Sequence, residues 1–243
     1  MTAAEANEKY AEYLKGKRVA LVGPASTALG TGKGKYIDDH DVVVRINKQF
    51  WAWDCWHDDI GSRTDVLYSC LVPTQTAGGI RLANKKFIRS QDYKFVVWGV
   101  MGKAMLREGF GSDLYSFKTV KNFLKVVGGK FPVPVIDTEH WRKAYWGCKG
   151  KPNTGTNAIW DILRYDIKSL YITGLSFYRT GYIPKYRNGL ENPKRAKKHI
   201  IASSHASGEN QLKYILSLIE NDSRVVLDDF LLQQQLGSDK PTP

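Results

Sequence analysis

The chain has 243 residues, 42% of them hydrophobic, so it can bury a substantial core, and it carries a net charge of +12. No stretch approaches the ~20 apolar residues of a membrane span, and the opening Met1-Thr2-Ala3-Ala4-Glu5 lacks the charged-then-apolar order of a secretory signal. Cys55, Cys70 and Cys148 are odd in number and without metal-ligand spacing, which excludes a disulfide framework and predicts free thiols in a cytoplasmic protein.

In chain order, Ala3 to Lys15 reads as an amphipathic helix and Arg18 to Val22 as a buried strand. Asp41 to Ile46, Asp65 to Val72 and Phe95 to Val100 read as strands, with Ser112 to Val127 helical after them. Val133 to Ile136 is strand-like, Thr154 to Tyr165 helical and Ser169 to Thr173 a strand. Ser207 to Glu220 reads as a helix, Arg224 to Leu227 as a short strand and Asp229 to Gln235 as a helix. This alternation predicts an α/β fold, a Rossmann-like and mostly parallel sheet with helices on both faces. Residues 1–236 are expected to form a single domain, and Gly237 to Pro243 a disordered tail.

Two glycine-and-hydroxyl turns follow predicted strands or open predicted helices. The first is Gly23-Pro24-Ala25-Ser26-Thr27 and the second Asn153-Thr154-Gly155-Thr156-Asn157. Glycine lets the backbone approach an anion, and a helix starting at such a turn aims unpaired N–H groups at it. In a parallel sheet both turns would lie at the carboxyl ends of the strands, where ligands bind. Charge points the same way. Trp141 to Ile200 holds 13 Lys/Arg against 3 Asp/Glu, a field that attracts polyanions or a nucleotide's phosphates.

Other motifs fall away on spacing. Gly30-Thr31-Gly32-Lys33-Gly34-Lys35 has neither the glycine spacing nor the Ser/Thr after lysine of a P-loop, and no third glycine at the dinucleotide spacing. Asp39-His40-Asp41 superficially resembles a metal-holding Asp-x-Asp, but it precedes a strand, which favours carboxylates that fasten the strand entry.

Three segments together resemble the family 29 (eukaryotic-type) sialyltransferases. Val19 to Asn47 is similar to the long sialyl motif, and Gly61-Ser62-Arg63-Thr64-Asp65 to the stretch that follows it. Pro152 to Ala158, continued through Gly174 to Tyr178, is similar to the short motif, and His205-Ala206-Ser207-Gly208-Glu209 to the very short motif. The resemblance implies a sialyltransferase-like variant of the glycosyltransferase A fold and an inverting, metal-independent transfer from a nucleotide sugar, CMP-activated and sialic-acid-like. It implies no cofactor beyond that donor. Residue by residue, Gly23, Ser26 and Asn47 match the first nucleotide loop, Thr154, Gly155 and Thr156 the phosphate-and-ribose turn, and Gly174, Ser176 and Phe177 the strand end beside the nucleotide. His205 matches the catalytic base, and Glu209 would orient its ring or cap the next helix.

The chemistry agrees with that assignment. A sugar hydroxyl needs a base near neutral pKa, and a leaving phosphate without a metal needs N–H groups, hydroxyls and cations. The sequence also departs from the family. Pro24 stands where an asparagine follows Val-Gly, Glu209 is four rather than five residues after His205, and no upstream histidine matches the third motif. Tyr182, Lys185 or Arg187 could take that histidine's place, and the cysteines that pair the long and short motifs are absent. These departures leave the donor sugar and its base open.

Phe177 to His199 reads as a Gly/Pro-broken loop mixing Tyr178, Tyr182, Lys185, Tyr186 and Arg187 with Lys194, Arg195, Lys197 and Lys198. Aromatics among cations suit a glycan acceptor and also stacked bases on a phosphate backbone. Three readings therefore stand: a transferase acting on a glycan, one acting on a hydroxylated DNA base in a phage-type setting, and a non-catalytic nucleotide- or nucleic-acid-binding module. Trp51, Trp53 and Trp56 are core by type, or an acceptor platform.

Overall fold

The computed structural model describes residues 1–47, 55–69, 91–99, 127, 129–187, 189–203 and 205–238. Helix α1 (Ala3–Leu14) starts at a reciprocal cap, in which Glu5 N–H donates to the Thr2 hydroxyl and Thr2 N–H to the Glu5 carboxylate. It buries Ala6, Tyr10 and Leu14, one position per turn. Strands β1 (Arg18–Val22), β2 (Val42–Ile46), β3 (Val66–Ser69) and β4 (Phe95–Trp98) follow, with short helices α2 (Gly34–Asp38) between β1 and β2 and α3 (His57–Ile60) between β2 and β3. Then come α4 (Thr138–Gly147), α5 (Thr154–Leu163), β5 (Ser169–Thr173), α6 (Pro193–Ala202), α7 (Gly208–Ile219), β6 (Val225–Leu227) and α8 (Asp229–Ser238).

The six strands form one sheet in the order β4-β3-β2-β1-β5-β6, and every pair is parallel. The chain steps outward from β1 to β4, then returns to the other side of β1 as β5, so the direction of winding reverses between β1 and β5. Alternate strand residues serve the two faces. Val19, Leu21, Val42, Val44, Val66, Tyr68, Leu170 and Ile172 pack under α1, α5, α7 and α8, with Tyr10, Ile159, Ile162, Leu212 and Ile215 among their partners. Ala20, Val22, Val43 and Tyr171 face the opposite layer, where Ile37, Ile60, Ile183 and Tyr186 cover them.

Most of the predicted elements are present, and the differences have local causes. Val133 to Ile136 is not a strand; only Val135 pairs, in a single bridge to Trp98. Pro132 and Pro134 lack N–H groups to extend a ladder, and Val135 N–H goes to the Asn7 side chain at 2.9 Å. Phe177 to His199 is not all loop. Asn192 caps α6 through the N–H groups of Lys194 (2.9 Å) and Arg195 (3.3 Å), with Pro193 in the first turn. Helix α4 is capped likewise by Asp137 on His140 N–H at 2.8 Å. Gly237, assigned to a tail, lies inside α8, while residues 239–243, residues 112–126 of the predicted helix, Trp51 and Trp53 lie outside the described residues.

Candidate functional site

The two glycine turns meet where the winding reverses. Gly23 ends β1 and Gly174, at φ +65°, ends β5; a Cβ on either would overlap the other's carbonyl oxygen. Glycine is required at both positions by this crossing. Thr173 and Gly174 are held from beneath by Asp228, whose carboxylate accepts from the Thr173 hydroxyl (2.9 Å) and Gly174 N–H (3.1 Å) and also caps α8 through Leu231 N–H. Burial raises the Asp228 pKa.

The first turn differs from expectation in how its donors are used. Gly23 N–H donates to Thr173 O, Ala25 N–H to Gly174 O and Ser26 N–H to Gly181 O, and Pro24 has no N–H. Its backbone is a brace between β1, β5 and the loop after β5, not an anion cradle. What it offers outward is Ser26, half-buried, with a hydroxyl that has no partner among the described residues. Asn47 stands just past β2 at φ +52°, its N–H on Tyr68 O at 2.8 Å.

The second turn keeps its donors. Asn153 caps α5 by accepting from Thr156 N–H at 2.8 Å, which leaves the N–H groups of Thr154 and Gly155 without partners among the described residues. A Cβ on Gly155 would lie 2.9 Å from Leu175 and 3.4 Å from Ile46, and one on Gly99 would lie 3.1 Å from Thr154. The start of α5 therefore sits over the carboxyl ends of β2, β4 and β5, with its dipole's positive end at the sheet's functional edge. The Thr156 side chain, expected to bind phosphate or ribose, is fully buried and donates instead to Gln211 Oε1 at 2.8 Å.

Gln211 escaped the sequence reading and joins the site's two halves. On α7 and fully buried, it accepts from Asn153 N–H (2.9 Å) and the Thr156 hydroxyl (2.8 Å), and donates to Ala206 O (2.8 Å). Ala206 N–H in turn donates to Lys151 O at 2.8 Å, and Lys151 and His205 form a parallel bridge. His205 is thereby fixed beside the segment that leads into the α5 turn. Burial, with the Lys151 charge second, lowers its pKa to about 4, so the imidazole is neutral at pH 7. Its Nδ1 is buried with no partner among the described residues, and the ring lies against the backbone of Lys151 and Pro152.

Glu209 does not orient that ring. It is exposed on the first turn of α7, pairs with Lys213 at 3.0 Å, and leaves the helix cap to Ser207, which accepts from Asn210 N–H at 3.1 Å. The aromatic platform is also differently built. Phe177, at φ +49°, is buried in the core, and Gly208 must be glycine because its Cβ would overlap Phe177 O. Ser176 is buried, with its hydroxyl accepting from Thr180 N–H at 3.3 Å. Tyr178, Tyr182 and Tyr186 pack on one another with centroids 6.2 and 5.0 Å apart, and burial raises the pKa of Tyr178 and Tyr182. They form a wall rather than open faces for bases. Arg187 contacts His199 on α6, and Lys185 Nζ meets Cys55 Sγ at 2.8 Å. Of the candidates for the missing phosphate-steadying group, Arg187 is thus held by the helix that runs into His205. Trp56 packs in the core layer that includes Ile37 and Ile60.

Several signature residues prove to be framework. Asp59 occupies the Gly30–Gly34 loop, accepting from Gly30 N–H at 2.8 Å and Gly32 N–H at 2.9 Å, so that glycine run serves a carboxylate of the protein itself. Asp41 ties the start of β2 to Arg18 N–H at 2.8 Å, as expected for a strand-entry carboxylate. Asp38 accepts from the N–H groups of Ser62 (2.8 Å) and Arg63 (3.0 Å), and Asp65 from Val43 N–H (2.8 Å). Arg45 is fully buried on the carbonyls of Ile60 and Arg63, its pKa lowered to about 10 by burial. Among the described residues no group of three or more His, Cys, Asp or Glu could hold a metal ion, and no helix is long and apolar enough to cross a membrane.

Residues 3–103 match the family described as glycosyltransferase family 29 (sialyltransferase). No protein of curated function matches the sequence. Among solved structures, the fold is similar to the Campylobacter jejuni sialyltransferase CstII in complex with a substrate analogue, cytidine-5'-monophosphate, at 14% identity and TM-score 0.53, covering 88% of this chain and 80% of that one. A variant of Cst-II in complex with CMP gives 17% identity and TM-score 0.52 over 87% and 80% of the two chains. A mammalian sialyltransferase in complex with Gal-beta-1-3GalNAc-ortho-nitrophenol gives 14% identity and TM-score 0.49 over 93% and 79%.

Proposed function

We propose a route by which this chain, a sialyltransferase-like glycosyltransferase by family match and fold, moves a sugar from a CMP-activated donor to a hydroxyl acceptor with inversion and without a metal. The CMP carried by two of the similar structures supports a cytidine nucleotide on the donor. The observation that carries the proposal is the bridge of Lys151 to His205, completed by Gln211, which holds a neutral imidazole next to a helix start with open N–H groups.

In the reaction the Thr154 and Gly155 N–H groups receive the donor phosphate, and the α5 dipole stabilises the negative charge that grows on it as the glycosidic bond breaks. Lys151 and the Arg187–His199 pair supply positive charge nearby. The His205 imidazole takes the acceptor hydroxyl proton as its oxygen attacks the anomeric carbon from the side opposite the phosphate. One displacement gives one inversion. A pKa of about 4 keeps the base unprotonated at neutral pH; its basicity rises when an anionic donor lies beside it.

Thermal stabilisation by CMP, UMP, GMP, AMP and TMP, each with and without EDTA, tests the donor. CMP alone should stabilise the protein, equally in EDTA. Preference for another nucleotide, or a requirement for metal, contradicts the assignment. The DNA-modifying alternative has no support in the family match or the fold.

A further inference from the structure

The basic segment noted in the sequence is not absorbed by donor chemistry. Much of it is the outer face of α6. At 100° per residue, Lys194, Lys197, Lys198 and Ile201 lie within one stripe about 100° wide, and all four are exposed, Ile201 by 74%. The opposite face is anchored by Ala196 and Ile200. No carboxylate among the described residues lies within ion-pair distance of Lys194, Lys197 or Lys198. The stripe covers about 10 Å of helix and has a direction. Helix α6 ends at Ala202, and His205 N–H reaches back to Ile200 O at 3.4 Å.

We propose that the exposed stripe of α6 is a docking track for an acidic glycan, an acceptor with carboxylates or other anions on successive sugars, and that it delivers the acceptor's end to His205. A glycan fits better than nucleic acid because Tyr178, Tyr182 and Tyr186 pack on one another, one pair T-shaped and one tilted, rather than standing apart as stacking platforms for bases. Lysines on a solvated helix hold anions loosely and reversibly, as a transferase that must release a lengthened product requires. Ile201, the last position of the stripe, offers an apolar contact where the chain of sugars reaches the site. The proposal rests on the transferase assignment of His205.

The test uses the full chain and fluorescein-labelled oligogalacturonate, a carboxylate on every sugar, against the same oligomer with its carboxylates methyl-esterified. Anisotropy at low and high salt is read for the wild type, for Lys194→Gln/Lys197→Gln/Lys198→Gln, and for the triple Lys→Arg variant. The acidic oligomer should bind, release with salt, weaken about tenfold or more in the Gln variant and recover in the Arg variant. Equal binding of the two oligomers, or binding that the Gln variant leaves unchanged, overturns the proposal. So does a labelled DNA duplex that binds more tightly and loses more on the same substitutions. Release of CMP from CMP-sialic acid, measured in parallel, separates the two levels. Lost turnover with retained acidic-glycan binding strikes the transferase assignment, and turnover without charge preference strikes the docking track.

Discussion

Replacing Gln211 by leucine, close in volume but unable to hydrogen-bond, removes three interactions from a fully buried position. It strands the Asn153 N–H, the Thr156 hydroxyl and the Ala206 carbonyl without the partner each now has. At roughly 1–2 kcal/mol for each buried group left unsatisfied, the loss is about 3–6 kcal/mol. For a domain of this size that lowers Tm by at least about 6 °C. The same change frees the cap residue of α5 from the His205 segment, so CMP affinity should fall about tenfold and turnover further. Scanning calorimetry and CMP titration read both effects. A double-mutant cycle with Thr156→Val makes the cause specific, since the two residues share a 2.8 Å bond and their costs should not add. A Tm change under about 2 °C with unchanged CMP affinity, or costs that add within about 0.5 kcal/mol, would refute the bracing role.

The depressed His205 pKa, about 4 against 6.5 unfolded, means that the unfolded chain binds more protons between those values. The neutral histidine's contribution is therefore complete above pH 6.5 and is lost as pH falls toward 4; it is on the order of 3 kcal/mol, read as the difference between wild-type and His205→Ala denaturation curves. The acid limb of kcat/KM, which reports the free enzyme, should stay flat down to about pH 5. Gly174→Ala places a Cβ against the Gly23 carbonyl at a φ of +65° and should cost more than about 3 kcal/mol, seen as loss of soluble protein or a large Tm drop. Glu209→Gln should leave kcat/KM within about twofold and the melting temperature unchanged, because its partner is an exposed Lys213; a change in the acid limb of the pH profile would restore it as a ring-orienting residue.

The sheet was legible because its strands are short apolar runs, such as Val42-Val43-Val44 and Leu170-Tyr171-Ile172, in which both faces are buried. The α5 turn was legible because an Asn cap, a glycine and flanking threonines announce a helix start with open donors. Harder to see was that the same residue types do opposite things at the two turns. Pro24 and the crossing with Gly174 consume the first turn's backbone, and that crossing depends on a partner more than a hundred residues away. Glu209 misled because adjacency in sequence does not place a side chain on the inward face of a helix, whereas Gln211, two residues on, faces inward. Helix α6 had a local signature in Asn192-Pro193 that the surrounding glycines, prolines and charges obscured. The Asp38, Asp41, Arg45, Arg63 and Asp65 positions of the recognisable motif hold strand ends together, so a signature can be strong while few of its polar residues face a ligand.

The most direct measurement is transfer from CMP-sialic acid to a galactoside acceptor in EDTA, with the anomeric configuration of the product read by NMR, for the wild type and His205→Ala alongside CMP dissociation constants. The expected result is an inverted product from the wild type, turnover lowered about a hundredfold or more in the variant, and CMP affinity unchanged within about threefold. Retained configuration, a metal requirement, or a variant that turns over normally would contradict His205 as the base of a metal-independent, inverting transfer.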